Sequence, residues 1–290
     1  MELSIIYDKL RFEEKELYDK ATNRGITTHL IDAKPISFST EINQNNPIKG
    51  DIFLQRCLSH YRGLYITFCL EFLRHKVINN YDVNEICGNK LRTSLILAKS
   101  EIPSPKTYFT FSAESFKELT NKLGFPLVLK PLVGSWGRGV FPIRNEEMVN
   151  IIMEMREEND SAFSRIYYVQ EMINRPPRDI RCIVTGDQII TAVYRYSAIN
   201  EWRTNVARGG HTGLAPITKE LEDIVIKASN AVGGGILGVD VMEDENKGFV
   251  IHEINSNVEF RGASQVSQVD IANSMIEYVL KVFKKYRETC

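Results

Sequence analysis

Two apolar runs towards the C-terminus, Gly235–Val239 ending at Asp240 and Val250–Asn255, constrain this chain more than any other feature. The second reads Val250-Ile251-His252-Glu253-Ile254-Asn255. In a strand, residues two apart share a face, so Glu253, Asn255 and Ile251 are expected on one side. Val250, His252 and Ile254 then face the other way. Pairing the two runs antiparallel brings Asp240 beside Glu253 and Asn255. Three hard oxygen donors on a rigid sheet suit magnesium carried in with nucleotide phosphates. For any one of these residues alone, ordinary strand polarity is the commoner explanation.

Bulk properties narrow the classes. With 290 residues, 43% hydrophobic and 25% charged, the chain has globular composition and allows one large domain or a few small lobes. A net charge of -1 creates no field that draws nucleic acid or an anionic membrane, and neither is expected as a partner. Cys57, Cys69, Cys87, Cys182 and Cys290 show no C-x-x-C spacing, which suits reduced thiols in a cytoplasmic protein. No apolar run is long enough to span a bilayer, and Met1-Glu2-Leu3-Ser4 begins no signal peptide.

Strands at Leu3–Tyr7, Ile26–Ile31, Ile52–Leu54 and Val77–Ile78 alternate with helices at Arg11–Asn23 and Tyr61–Arg74, which predicts a parallel sheet. The stretch Lys34 to Lys49 is a surface loop. One helix is expected over Asp82–Ser100, with the prolines at 103 and 105 stiffening the linker behind it. Strands at Tyr108–Phe111 and Leu127–Leu129 flank a helix at Glu114–Leu123.

Lys130-Pro131 leads into Gly134-Ser135-Trp136-Gly137-Arg138-Gly139, where three glycines let backbone amides approach a phosphate chain. No Gly-Lys-Ser/Thr closes a Walker loop, so a mobile flap over phosphates fits better, with a plain glycine hairpin as the alternative. The apolar strand Ile166–Ile173 stops abruptly at Pro176 and Pro177, which suits either free backbone offered to a planar base, with Met172 packed on it, or a plain core strand. Arg178, Asp179 and Arg181 lie on, and Arg195 beside, a predicted hairpin, Arg178–Val184 and Gln188–Tyr194, with a solvated strand end as the alternative for Arg178. Arginines there suit bidentate capture of carboxylate or phosphate. Helices are expected at Thr218–Val232, capped by Thr218, and at Ile271–Lys285, with a solvated basic tail behind. Neither a Gly-x-Ser-x-Gly elbow nor an H-E-x-x-H motif occurs, and no histidine has the spacing of a general base.

The ordered set Asn89-Lys90, Lys130-Pro131, Gly134–Gly139, Gln170–Ile173, Arg178–Arg181, Arg203-Thr204-Asn205, Asp240 and Glu253-x-Asn255 resembles that of ATP-grasp carboxylate–amine ligases. It spans residues 80 to 285 and is most similar to the RimK/LysX branch, within it the ligases that join α-aminoadipate or glutamate to a carrier protein. Cys87–Lys90, Gly134–Arg138 and Asn255-x-x-x-Glu259-Phe260-Arg261 carry that closer likeness. The resemblance implies an α/β ATP-grasp fold, with an N-terminal lobe over 1–89, a central lobe over 90–168 and a C-terminal lobe with the metal site over 169–290. Lys90 and Lys130 would hold ATP phosphates under the flap, and the backbone of Glu171 and Ile173 would read adenine. Asp240, Glu253 and Asn255 would hold one or two Mg2+ ions, with Mn2+ as a substitute. Arg203 and Asn205 would steady the transferring phosphoryl group as an acyl phosphate forms.

The amino-acid substrate would meet Arg181, Arg195, Asn257, Phe260, Arg261, Gly262 and Ala263, with Arg195 and Arg261 as cations for its distal carboxylate. Gly262-Ala263 matches neither the glutamate-selective nor the aminoadipate-selective pattern of such ligases, which leaves glutamate, α-aminoadipate or both as the substrate. The implied partner is a small acidic amino-group carrier protein, in lysine or arginine biosynthesis, and a homo-oligomer is expected. The alternatives are a glutamate ligase acting on a ribosomal protein tail or a cofactor, and a nucleotide-binding regulator without catalysis.

Overall fold

The computed structural model describes residues 1–40, 48–158, 161–199, 201–204 and 209–289. Its first sheet is all parallel, formed by β1 (Glu2–Tyr7), β2 (Thr27–Asp32), β3 (Ile52–Gln55) and β4 (Lys76–Ile78) in the order β2-β1-β3-β4. Leu3, Ser4, Ile5 and Ile6 are all buried, as a central strand covered on both faces requires. Helices α1 (Phe12–Asn23) and α2 (His60–Phe72) connect these strands. Part of the loop after β2, residues 41–47, lies outside the described residues.

The helix expected over Asp82–Ser100 is two helices, α3 (Tyr81–Gly88) and α4 (Lys90–Lys99). Asn89 breaks them with extended backbone (φ -123°, ψ 109°), and its side-chain oxygen accepts from the amides of Leu91 at 3.1 Å and Arg92 at 3.3 Å. An asparagine competes with the helix for its own neighbours' amides, and here it wins as an N-cap. The break makes Lys90 the first residue of α4 and frees its backbone amide for the Leu132 carbonyl, 2.9 Å away.

The second sheet is antiparallel, with β5 (Thr107–Thr110), β6 (Leu127–Lys130), β7 (Phe141–Ile143) and β8 (Tyr167–Glu171) in the order β5-β8-β6-β7. Helices α5 (Ala113–Leu123) and α6 (Glu146–Glu157) pack on it through a core of Phe116, Leu129, Val149 and Val169.

The third sheet joins β9 (Arg178–Thr185), β10 (Gln188–Tyr196), β11 (His211–Leu214), β12 (Ile236–Asp244) and β13 (Gly248–Asn255) in the order β11-β10-β9-β12-β13. Helix α7 (Lys219–Ala231) is capped by the Thr218 hydroxyl, which accepts from Leu221 N at 3.2 Å, and buries Leu221, Val225 and Ala228 against Val184 and Val239. A short α8 (Arg261–Ser264) precedes α9 (Ile271–Thr289). Ile271, Met275, Ile276 and Val279 of α9 share one core with Leu3, Ile5 and Leu17 and with Ile183 and Val193. The last helix therefore ties the first sheet to the third. It also runs past Lys285, and the Tyr286 hydroxyl there donates to the Arg74 carbonyl at 2.9 Å.

Candidate active site

Two cavities meet at Glu253. One is a cleft of about 330 Å3 between the second and third sheets, and the other is a space of about 780 Å3 bounded by the first and third. Gly134, Ser135, Arg195 and Glu253 line both.

The register of β12 and β13 explains that position. Asp240 pairs with Glu253, but the next step pairs Val241 with Ile251, so β13 carries one extra residue at His252. The bulge resets the alternation. Ile251 and Ile254, three apart, both enter the core, while His252 and Glu253 both line the cleft. This corrects the simple period-two expectation, which put Ile251 on the ligand face and His252 away from it.

Asp240 is buried, and Arg181 forks onto it with both bonds at 2.7 Å. Arg195 reaches the same carboxylate at 2.9 Å and forks onto Asp179, again with both bonds at 2.7 Å. The Thr204 hydroxyl also donates to Asp179, and His252 Nε2 stands 3.5 Å from it. Burial would raise the Asp179 pKa, but the Arg195 guanidinium holds it well below the carboxylate range; Asp179 and Asp240 in turn raise Arg195 against its own burial.

Glu253 lies 3.4 Å from Lys90 Nζ, which also donates to the Gly134 carbonyl at 2.8 Å. Burial favours its neutral acid, yet Lys90, His252, Lys130 and Arg181 together hold it at about 2. Asn255 Nδ2 is 3.5 Å from Asp240 Oδ2. Asp240 and Glu253 lie opposite each other on the paired strands with the Asn255 amide beside Asp240, residue types that suit a hard cation whose remaining ligands are phosphates and water. Among the described residues no group of three His, Cys, Asp or Glu side chains is placed to hold a metal ion, so a cation here would depend on the Asn255 amide, phosphates and water for its remaining ligands.

The cleft collects most of the nucleotide residues expected from sequence. Lys130 is buried in its wall, and that burial pulls its amine down to about 8. Gly134, Ser135, Gly137 and Arg138 form the loop above, with Gly137 at φ 65° in the left-handed region. Arg203 donates to the carbonyls of Gly137 and Val140 at 3.2 and 3.4 Å while Glu201 holds its other edge. Gln170 donates to the Tyr168 hydroxyl and to Thr107 at 2.6 and 2.8 Å. Met172 and Ile173 line the inner end of the cleft, but the Glu171 amide is committed to the Lys106 carbonyl at 3.0 Å.

Several expectations change. Arg178 lines neither cavity; it forks onto Glu243 at 2.8 and 3.1 Å and stacks 4.0 Å from the Tyr194 ring centroid. Gly139 packs beside Pro131 instead of lining the cleft, and Trp136 turns into the larger cavity. Asn205 lies outside the described residues, with the rest of 205–208. Arg195 and Arg181, expected to meet substrate, are engaged by Asp179 and Asp240. Phe260 is core, 1% exposed, with its ring edge-on to Phe12. Arg175 was not anticipated. It lines the cleft, and its guanidinium donates to the carbonyls of Pro176, Arg178 and Trp202, which shapes the turn after β8.

In the larger cavity, Asn257 Nδ2 donates to the Cys57 carbonyl at 2.7 Å, and its buried Oδ1 has no hydrogen-bond partner. Arg261 faces the space with its guanidinium 5.9 Å from the Phe12 ring centroid. Gly262 and Ala263 form the wall beside it, Ala263 also belonging to the core. Asn79, another residue without a sequence signal, reaches from the first lobe to the carbonyls of Ile236 and Ser256 at 2.7 and 2.8 Å.

A cleft between two antiparallel sheets, roofed by a glycine loop and floored by strand carboxylates, defines an ATP-grasp enzyme. The RimK domain ATP-grasp protein from Sphaerobacter thermophilus shares this fold, with a TM-score of 0.78 at 20% identity over 97% of this chain and 100% of the other. Residues 87–279 match the RimK-like ATP-grasp domain and residues 3–86 the LysX preATP-grasp domain, so the chain belongs to the RimK-like ATP-grasp family and is an ATP-dependent, ADP-forming carbon–nitrogen ligase. It is similar to the alpha-aminoadipate–LysW ligase LysX of Saccharolobus solfataricus, 35% identical over 95% of this chain and 99% of the relative. The glutamate–LysW ligase ArgX of Sulfolobus acidocaldarius is 33% identical over 96% of this chain and 98% of its own. ATP with magnesium is the cofactor pair of this family. No described helix is long and apolar enough to cross a membrane.

Proposed function

We propose that the chain joins the α-amino group of α-aminoadipate, glutamate or both to the terminal carboxylate of a small acidic carrier protein, through an acyl phosphate. The observation that carries this reading is the position of Glu253, on the wall shared by the cleft and the larger cavity. ATP occupies the cleft, the acceptor carboxylate enters from the larger space, and the γ-phosphoryl group passes between them beside Glu253. In this reading the first lobe is 1–89 and the boundary expected at 168/169 moves past Glu171, because all of β8 pairs within the second sheet.

Phosphoryl transfer of this kind needs alignment and charge neutralisation more than a covalent nucleophile. Lys130 and Lys90 neutralise phosphate oxygens, and Arg203 and Asn205 steady the transferring group. Asp240, Glu253 and Asn255 would hold one or two magnesium ions, which supply Lewis-acid neutralisation of the phosphates. Arg181 and Arg195 hold the Asp240 carboxylate in place. The amine then attacks the acyl carbon, an amide forms and phosphate leaves with the displaced oxygen. Arg261, which unlike Arg11, Arg181 and Arg195 is paired with no carboxylate among the described residues, takes the distal carboxylate of the incoming amino acid.

Release of ADP with candidate amino acids, with and without an acidic carrier, tests the reading when followed by intact mass of the carrier. A carrier-dependent gain of one amino-acid residue is expected. ADP release that never depends on the carrier, with no mass gain, contradicts it.

A further inference from the structure

The glycine loop roofs the nucleotide cleft, yet one of its side chains leaves that cleft. Trp136, at φ 58°, turns into the larger cavity while Gly137 and Arg138 stay over the cleft. Its indole Nε1 donates to Glu259 Oε2 at 3.1 Å. The other oxygen of Glu259 accepts from Arg11 Nη1 at 2.8 Å. Arg11 forks onto Glu14 at 2.7 and 3.0 Å, and buried Glu14 also takes Arg56 at 3.2 Å. The backbone behind Glu259 is fixed as well, because Glu13 Oε1 accepts the amides of Phe260 and Arg261 at 3.2 and 3.1 Å. On the cleft side, the Arg138 guanidinium stands 4.9 Å from the centroid of the Trp136 ring.

We propose that Glu259 is a positioning residue that anchors the glycine loop to the first lobe through Trp136, so that closure over the nucleotide and completion of the amino-acid cavity are one event. The proposal rests on the ligase reading only for the identity of the ligands.

The physical case is continuity. A loop whose glycines permit many conformations needs an outside contact to choose one. Trp136 supplies it, and the contact ends on a charged chain rooted in the first lobe. Phosphate that attracts Arg138 acts on a cation stacked against that same indole. Both oxygens of Glu259 are engaged, one by Trp136 and one by Arg11, which separates this role from direct capture of the incoming amino acid. Sites that bias one element between two arrangements are coupled reciprocally. Nucleotide in the cleft therefore steadies the turn after Asn257, and a ligand against Trp136 favours the closed loop.

The test is amide hydrogen exchange on the full chain with and without magnesium and a non-hydrolysable ATP analogue, with no amino acid or carrier present. In the wild type the analogue should slow exchange across residues 133–140 and also at Phe260 and Arg261, by roughly fivefold or more, the low end of measured couplings. Trp136→Phe keeps the ring and loses the indole N–H; Glu259→Ala removes the acceptor. In both, exchange in the β9–β13 sheet should stay as in the wild type and the loop should still respond to nucleotide. The response at Phe260 and Arg261 should fall below about twofold. An unchanged response at those two amides in Trp136→Phe overturns the proposal, as does wild-type loop protection that never reaches them. A wild type whose loop shows no protection at all contradicts this proposal and the nucleotide reading together.

Discussion

The cleft and the larger cavity are neighbours with different origins. The cleft draws mostly on short stretches, Lys130 to Arg138, Gln170 to Pro177, Trp202 to Thr204 and the paired Asp240 and His252-Glu253, with Lys90 and Arg195 added from outside them. The larger cavity is assembled from Arg11, Gln55, His60, Trp136, Thr212 and Asn257, which the fold gathers from the whole chain. Chemistry fixed by phosphate needs a few cations and backbone amides at set spacings, and such spacings are local. A cavity that recognises a variable acid and a carrier tail is shaped by the docking of lobes, which no short pattern encodes.

If the two spaces share one reaction, the group on their common wall should matter most. Glu253→Ala should lower ligation by about 10^2 to 10^3-fold, with Asn255→Ala less severe, while thermal unfolding stays near that of the wild type. Steady-state turnover at saturating magnesium measures it. Near-normal turnover would divide the two cavities into separate sites.

The lysines sharpen the description of the cleft. Lys130→Ala should weaken ATP binding by roughly 10- to 100-fold and Lys90→Ala by less, because Lys90 already serves the Gly134 carbonyl and Glu253. Burial holds the Lys130 amine at about 8 in the free protein, and bound phosphate raises it. ATP binding should therefore take up a proton as pH rises past that value, and affinity should fall on the alkaline side. Calorimetry in buffers of different ionisation enthalpy reads the uptake directly. Equal losses in the two variants, or no proton uptake, would contradict this assignment.

Ala263→Phe probes the larger cavity alone. The ring should favour glutamate over α-aminoadipate, with an overpacking cost of about 1–3 kcal/mol because Ala263 is also core. The ratio of kcat/KM for the two amino acids is the readout, and an unchanged ratio removes Ala263 from the specificity wall. Arg178→Ala should have the smallest effect. Its partner is Glu243, outside both cavities, so kcat/KM should stay within about twofold and stability within about 1 kcal/mol.

The same contrast explains what the sequence made legible. Alternation of strands and helices gave the parallel first sheet, and the order of short motifs gave the family. Two local devices defeated simple periodicity. Asn89 capped a new helix inside an unbroken apolar pattern, and the bulge at His252 moved Ile251 to the core. Arginines were the least legible. Arg178, Arg181 and Arg195 look alike on one hairpin, but the carboxylates that claim them lie as far off as Glu243 and Asp240. Arg175 and Asn79 act through backbone carbonyls, which leave no mark in a pattern of side chains.

The central claim is that one phosphoryl group crosses from the cleft to a carboxylate in the larger cavity. Labelling the carrier's terminal carboxylate with 18O tests this most directly. The reading predicts that the released inorganic phosphate carries one labelled oxygen for each amide formed, with the second label retained in the new amide. Unlabelled phosphate alongside amide formation would contradict it.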